Sequence, residues 1–251
     1  MIHLVLPPHR LWMLALQLLW AAFLFGGFFF GRSDAHRTRR MPTWTRIASS
    51  LTLVAAGWSW YWLARERAVG DYAMLIGLGM TFGFLGDLFM ARLLPMAQPV
   101  IGGIVAFGLG HMAYIAAFLS LARRSGLTVL GPLGGAWAIW LGIGLLGWYW
   151  AVFRGQRLTA LRWAALPYVL LLASVAGVTT GLAWQDSAFL SLALGGALFL
   201  VSDLILAAQL FSGWRFPFIG DVIWLTYGPA QMWIVYSVDS AWRVWHSYSP
   251  R

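Results

Sequence analysis

The chain has 251 residues, 61% of them hydrophobic and only 10% charged, with a formal charge of +9 and no cysteine. Soluble domains are usually about 45–50% apolar and about 25% charged, so composition excludes one and points to an integral membrane protein. Without cysteine, disulfides, thiolate metal sites and cysteine nucleophiles are excluded.

Every basic side chain among the 17 Lys plus Arg positions is an arginine. In a soluble protein that charge would suggest nucleic acid. Here the arginines fall mainly in short loops between apolar runs, which reads as topology determinants and headgroup contacts, with no nucleic-acid partner. Seventeen tryptophans fit interfacial belts, with Trp58, Trp60 and Trp62 near one segment end and Trp148 and Trp150 near another. No hydrophilic segment is long enough for a second domain, so residues 1–251 read as a single transmembrane domain.

In chain order, the first apolar run covers residues 11–30 and follows His9 and Arg10. No small-residue cleavage site follows it, so a retained span is expected rather than a signal peptide. The next loop is the most basic, with Arg32, Arg37, Arg39, Arg40 and Arg46. Span two is expected over 44–64, span three over 71–91 with Asp87 near its end, and span four over 99–121 with His111 and Tyr114. Span five, 127–150, holds no ionisable residue; span six, 163–184, contains Pro167. Span seven, 187–211, carries Asp203, and span eight, 218–238, holds Tyr227, Pro229 and Gln231. The fold expected is an all-α, polytopic bundle of eight transmembrane helices. The spans lack the strict alternation of barrel strands.

Eight spans place both termini on one side. The odd loops hold Arg32, Arg37, Arg39, Arg40, Arg46, Arg92, Arg154, Arg157, Arg162 and Arg215, against seven arginines elsewhere. That excess, concentrated in the first loop, puts the odd loops in the cytoplasm.

Ionisable groups at membrane depth are costly, about 2.5–3.5 kcal/mol on insertion scales, and so mark function. LGDLFMARL at 85–93 lines up with VSDLILAAQL at 201–210, which sets Asp87 over Asp203. Asp87 to His111 and Asp203 to Tyr227 are both 24 residues, an offset that a parallel repeat of two four-helix halves would produce. Counting along the spans brings Asp87, Asp203, His111 and Tyr227 to a similar depth around one cavity. Phe107, His111 and Tyr114 share one face of span four, and Tyr227 and Gln231 one face of span eight. Gly79 and Gly83, with Gly102, Ala106 and Gly110, form small-residue ridges whose plainer reading is helix packing. Asp221 and Asp239 lie near helix ends, where solvated carboxylates are ordinary. Arg92, one turn beyond Asp87, can meet a lipid phosphate.

Burial disfavours a charged carboxylate, and two close aspartates do not both ionise readily. One carboxylic acid beside one carboxylate suits acid–base hydrolysis. Zinc would need about three protein ligands, and only His111 lies within a span, so no metal or other cofactor is expected. No G-x-S-x-G marks a serine hydrolase. Paired intramembrane carboxylates also occur in proton-coupled carriers, and a purely structural bundle is a third reading.

Gly86-Asp87, Gly110-His111 with Tyr114, Ser202-Asp203, and Tyr227 with Gln231 together resemble the YhhN-like lysoplasmalogenase family. The resemblance is best over residues 75–121 and 195–236, and the first two spans add little to it. It implies an eight-helix hydrolase of the membrane, of the bacterial cell membrane by the arginine-rich composition. Its substrate would be a lysoplasmalogen, a 1-alkenyl glycerophospholipid without the second acyl chain. Asp87 and Asp203 would be the acid–base pair. His111, Tyr114, Tyr227, Gln231, Asp221 and Arg92 would orient the pair, the water or the headgroup.

Overall fold

A long apolar run in hydrocarbon must satisfy its backbone hydrogen bonds within itself, so it becomes a helix. The computed structural model describes residues 7–154 and 159–248, and eight α-helices carry them, with no strand among the described residues. They are α1 (Pro7–Phe30), α2 (Thr43–Ala64), α3 (Gly70–Met90) and α4 (Pro99–Arg124). Then follow α5 (Leu130–Trp148), α6 (Ala160–Gln185), α7 (Leu190–Ser212) and α8 (Ile219–Tyr248). Arg157 lies outside the described residues.

The ends follow local chemistry. Pro99 opens α4, where its missing N–H costs nothing. Gly213 ends α7 in the left-handed region, φ 68°. Three expectations are corrected. The fifth span finishes in a π turn, Tyr149–Phe153, and the seventh begins with a 3₁₀ turn, Ser187–Phe189. The eighth helix runs ten residues past residue 238, because Val238, Ala241 and Val244 continue its buried face.

Six helices, α1 and α3 to α7, are long and apolar enough to cross a membrane. The expectation of eight is met by eight helices, but composition supports six as spans. The other two, α2 and α8, are diluted by polar groups that face inward: Ser49, Ser50 and Thr52 on α2, and Asp221, Gln231 and Ser237 on α8, are all buried. Large apolar side chains face outward as well as into the core, as with Leu11, Leu18 and Leu130. An apolar exterior suits a lipid-facing surface, since lipid tails are as apolar as leucine.

Of the expected belt residues, Trp62 and Trp150 are exposed, with Arg65 and Arg154 over their rings at 4.3 and 3.9 Å. Trp60 is not a belt residue: it is fully buried, because α2 turns that face to Tyr236.

Neighbour order is the same in both halves. Helices α1 to α4 pack consecutively, as do α5 to α8, and the halves meet through α2 on α8 and α6 on α4. One difference stands out: α8 also packs on α3, whereas α4 and α7 scarcely touch. The α1–α2 loop is stitched to the start of α8. Phe218 N–H donates to Arg37 O at 2.8 Å and Gly220 N–H to Thr38 O at 2.9 Å. Within that loop the Thr38 hydroxyl donates to Asp34 and holds its carboxyl below the usual carboxylate range.

Candidate active site

Asp87 and Asp203 come from different halves of the chain and stand on the wall of one cavity of about 390 Å³. Tyr227, Phe107 and Trp224 share that wall, and Arg39, Arg46 and Arg92 bring three positive charges to it. Arg39 and Arg92 are exposed, and both belong to loops or helix ends on the odd-loop side, so the cavity opens there.

Asp87 sits three residues from the end of α3 and is 4% exposed. Its Oδ2 accepts from the Ser50 hydroxyl and, at 3.1 Å, from the Tyr227 hydroxyl. Gln231 Nε2 donates to the Tyr227 oxygen at 3.1 Å, and the Tyr114 hydroxyl donates to Gln231 Oε1 at 2.8 Å. The chain Tyr114–Gln231–Tyr227–Asp87 thus links α4, α8 and α3. Small residues make it fit. A Cβ at Gly79 would lie 2.3 Å from the Tyr114 ring, and one at Gly83 would lie 2.8 Å from Gln231 Nε2. The α3 glycines therefore admit the polar chain as well as a neighbouring helix.

Asp203 is half-buried and has a separate partner, Tyr168, whose hydroxyl donates to Oδ2. His111 Nε2 lies 3.4 Å from the same hydroxyl and its ring packs edge-on against Phe199 at 4.7 Å. Its Nδ1 is buried without a hydrogen-bond partner among the described residues.

Of the eight residues singled out in the sequence, Asp87, Asp203, Tyr227 and Arg92 reach the cavity wall. Gln231 lies one step behind it and Tyr114 two. His111 was expected to converge on the cavity and does not; Tyr168 stands between it and Asp203. Asp221 reads in the sequence as a solvated end carboxylate and, by the resemblance, as an orienting residue; the structure places it off the cavity wall. It is 1% exposed and accepts from the N–H groups of Arg40 at 2.6 Å and Met41 at 2.9 Å. It clamps the loop that carries Arg39, and its place in the first turn of α8 suits its charge. Asp239, also expected to be solvated, is 6% exposed.

Arg92 ends α3 in the left-handed region at φ 57°, where glycine is usual. Leu93 N–H reaches Leu88 O at 2.9 Å and Arg92 N–H reaches Phe89 O at 2.9 Å, which closes a Schellman cap around it. The strain puts a cation at the cavity mouth. Arg46 counted as a loop residue in the sequence but is the fourth residue of α2. It holds Thr43 Oγ1 at 3.1 Å and stacks over Trp224 at 5.4 Å, and its Nε is buried with no partner among the described residues.

Sequence reasoning missed Ser50, Tyr168 and Trp224. Ser50 carried a weak signal, as one of two adjacent serines in an apolar span. Tyr168 carried none beyond following Pro167.

No curated protein and no solved structure matches the chain. The family comparison does find a match, to the YhhN family over residues 41–238. That stretch starts at the residue whose N–H Asp221 holds and ends just past Ser237, so it encloses every cavity residue named above except Arg39. The chain belongs to the YhhN family.

Proposed function

We propose that this protein is a membrane hydrolase that cleaves the vinyl ether bond of lysoplasmalogens. A fatty aldehyde and a glycerophospho-headgroup are the products. The observation that carries the reading is one cavity that holds two acids, Asp87 and Asp203, beside three arginines. Family membership supports it. The eight helices all cross the bilayer, in two parallel four-helix halves, and the cell membrane of a bacterium is the setting. The shared neighbour order of the halves supports that arrangement.

The arginines suit a phosphate. Arg46 offers a buried N–H with no partner among the described residues, and guanidinium groups bind phosphate with matched geometry. The two acids suit the ether. A carboxylic acid protonates the alkenyl carbon β to oxygen, which leaves an oxocarbenium ion. Water adds to the carbon bonded to oxygen as the carboxylate takes its proton. In the hemiacetal, the hydroxyl proton returns to the first aspartate as the bond to the glycerol oxygen breaks. The second aspartate protonates that oxygen. Both acids end as they began, and one water is consumed. No resident cofactor is called for.

The test is aldehyde release in detergent from a lysoplasmalogen and from its saturated alkyl-ether counterpart, for wild type, Asp87→Asn and Asp203→Asn. Release from the vinyl ether alone, lost in both folded variants, is expected. No release from wild type across several headgroups would sink the reading and leave a carrier, whose transport needs sealed vesicles.

A further inference from the structure

A second, apolar space lies beside the cavity, a narrow cleft of about 60 Å³. Its two walls are α4, with Val100, Gly103 and Ile104, and α7, with Leu204, Ala207 and Leu210. These are the helices that scarcely touch, while the corresponding pair, α3 and α8, is in contact. Helix α6 closes the back with Val169 and Leu172, and Trp148 and Val152 reach the floor from the end of α5 and its π turn. Leu210 is 44% exposed, so the cleft reaches the outer surface of the bundle.

Among the described residues, four lie on both the cleft and the polar cavity: Met90, Phe107, Leu206 and Asp203. Asp203 is the one ionisable group among them. Asp87 belongs to the polar cavity alone. One oxygen of Asp87 is also already held by two hydroxyl donors, where Asp203 has the Tyr168 hydroxyl.

We infer that the cleft between α4 and α7 takes the hydrocarbon tail of a lysolipid, and that this sets the ether bond at Asp203. Asp203 then gives the proton to the alkenyl carbon, and Asp87 takes the proton of the attacking water. A lysolipid has one polar end and one slender chain, and the two spaces offer one arginine-lined chamber and one slot. The slot is short, so it holds the first few methylenes and lets the rest run out into the bilayer. The tail assignment stands on the geometry alone; the proton assignment rests on the hydrolase reading.

Two experiments on the full chain separate these. Ala207→Trp and Val100→Trp fill the cleft from opposite walls. The probes are a lysoplasmalogen with a hexadecenyl chain, a short-chain analogue with an ethenyl group, which has no carbon beyond the double bond to place in the slot, and the non-hydrolysable hexadecyl ether lysolipid. We expect both variants to lower turnover of the long chain relative to the short one at least tenfold, and to weaken binding of the hexadecyl ether. Wild-type turnover with an unchanged ratio in both variants overturns the cleft and leaves the hydrolase standing. Weakened binding without any wild-type turnover overturns the hydrolase and leaves the cleft. For the proton, substrate is incubated in D₂O with each aspartate variant. Asp87→Asn should still exchange the alkenyl hydrogen β to oxygen, because protonation by Asp203 reverses when water is not activated. Asp203→Asn should not. Exchange in Asp203→Asn alone, or in neither, overturns the assignment.

Discussion

Tyr168 shows how one hydroxyl can govern a site. It donates to Asp203 and stands against His111, so the carboxyl orientation depends on it. A hydrogen bond to a charged or charging group is worth about 1.5–3 kcal/mol. Tyr168→Phe should therefore lower kcat about 10–100-fold with KM little changed, whereas a packing role alone would leave kcat intact. Arg92 makes the opposite trade. Its left-handed backbone is strained by about 1–2 kcal/mol, and glycine would relieve that. Arg92→Gly should raise the thermal midpoint, and if the guanidinium holds phosphate it should raise KM as well. A variant that is both less stable and unchanged in KM would contradict both halves of that account.

At the scale of elements, α3 owes its place to its glycines. The space at Gly83 is filled by the Gln231 amide, so Gly83→Ala forces α8 or the amide to move. Overpacking of this kind costs about 1–3 kcal/mol. Removing the amide should give part of it back. A double-mutant cycle of Gly83→Ala with Gln231→Ala therefore should show favourable coupling, measured by denaturation in detergent; strict additivity would mean that the two residues do not meet. The α1–α2 loop depends on α8 in the same way. Asp221→Ala strands the buried N–H of Met41 and the N–H of Arg40, at a cost of about 1.5–3 kcal/mol. The loop carrying Arg39 should then become the first site of protease cleavage, which a limited digest would reveal.

For the whole molecule, the open question of α2 and α8 has a direct test, because the chain has no cysteine of its own. If α2 crosses the bilayer, His36→Cys and Glu66→Cys should react with an impermeant thiol reagent from opposite faces of the membrane. If α8 crosses it, Phe216→Cys and Arg243→Cys should do so too. Labelling of either pair from one face would reduce the bundle to fewer spans and remove the parallel halves. The same architecture explains why the site is built at all. Helices α2 and α8, the two least apolar, meet across the junction of the halves and bring Ser50 and Tyr227 to Asp87.

The membrane class, the order of the helices and most of their ends, the sharing of one cavity by the two aspartates, and the family were legible in the chain. Each rests on a local property: runs of apolar side chains, and the cost of an acid within them. Tyr168, Ser50 and the cavity role of Arg46 were not legible. In a soluble bundle an apolar stripe marks the inward face of each helix. In lipid both faces are apolar, so the sequence carries little signal for how each helix is turned. That rotation decided that Tyr168 would stand between His111 and Asp203, that Asp221 would hold a loop instead of facing solvent, and that Trp60 would leave the belt for the core. The gap between α4 and α7 is likewise a property of packing between distant segments, and only the tertiary structure could open it.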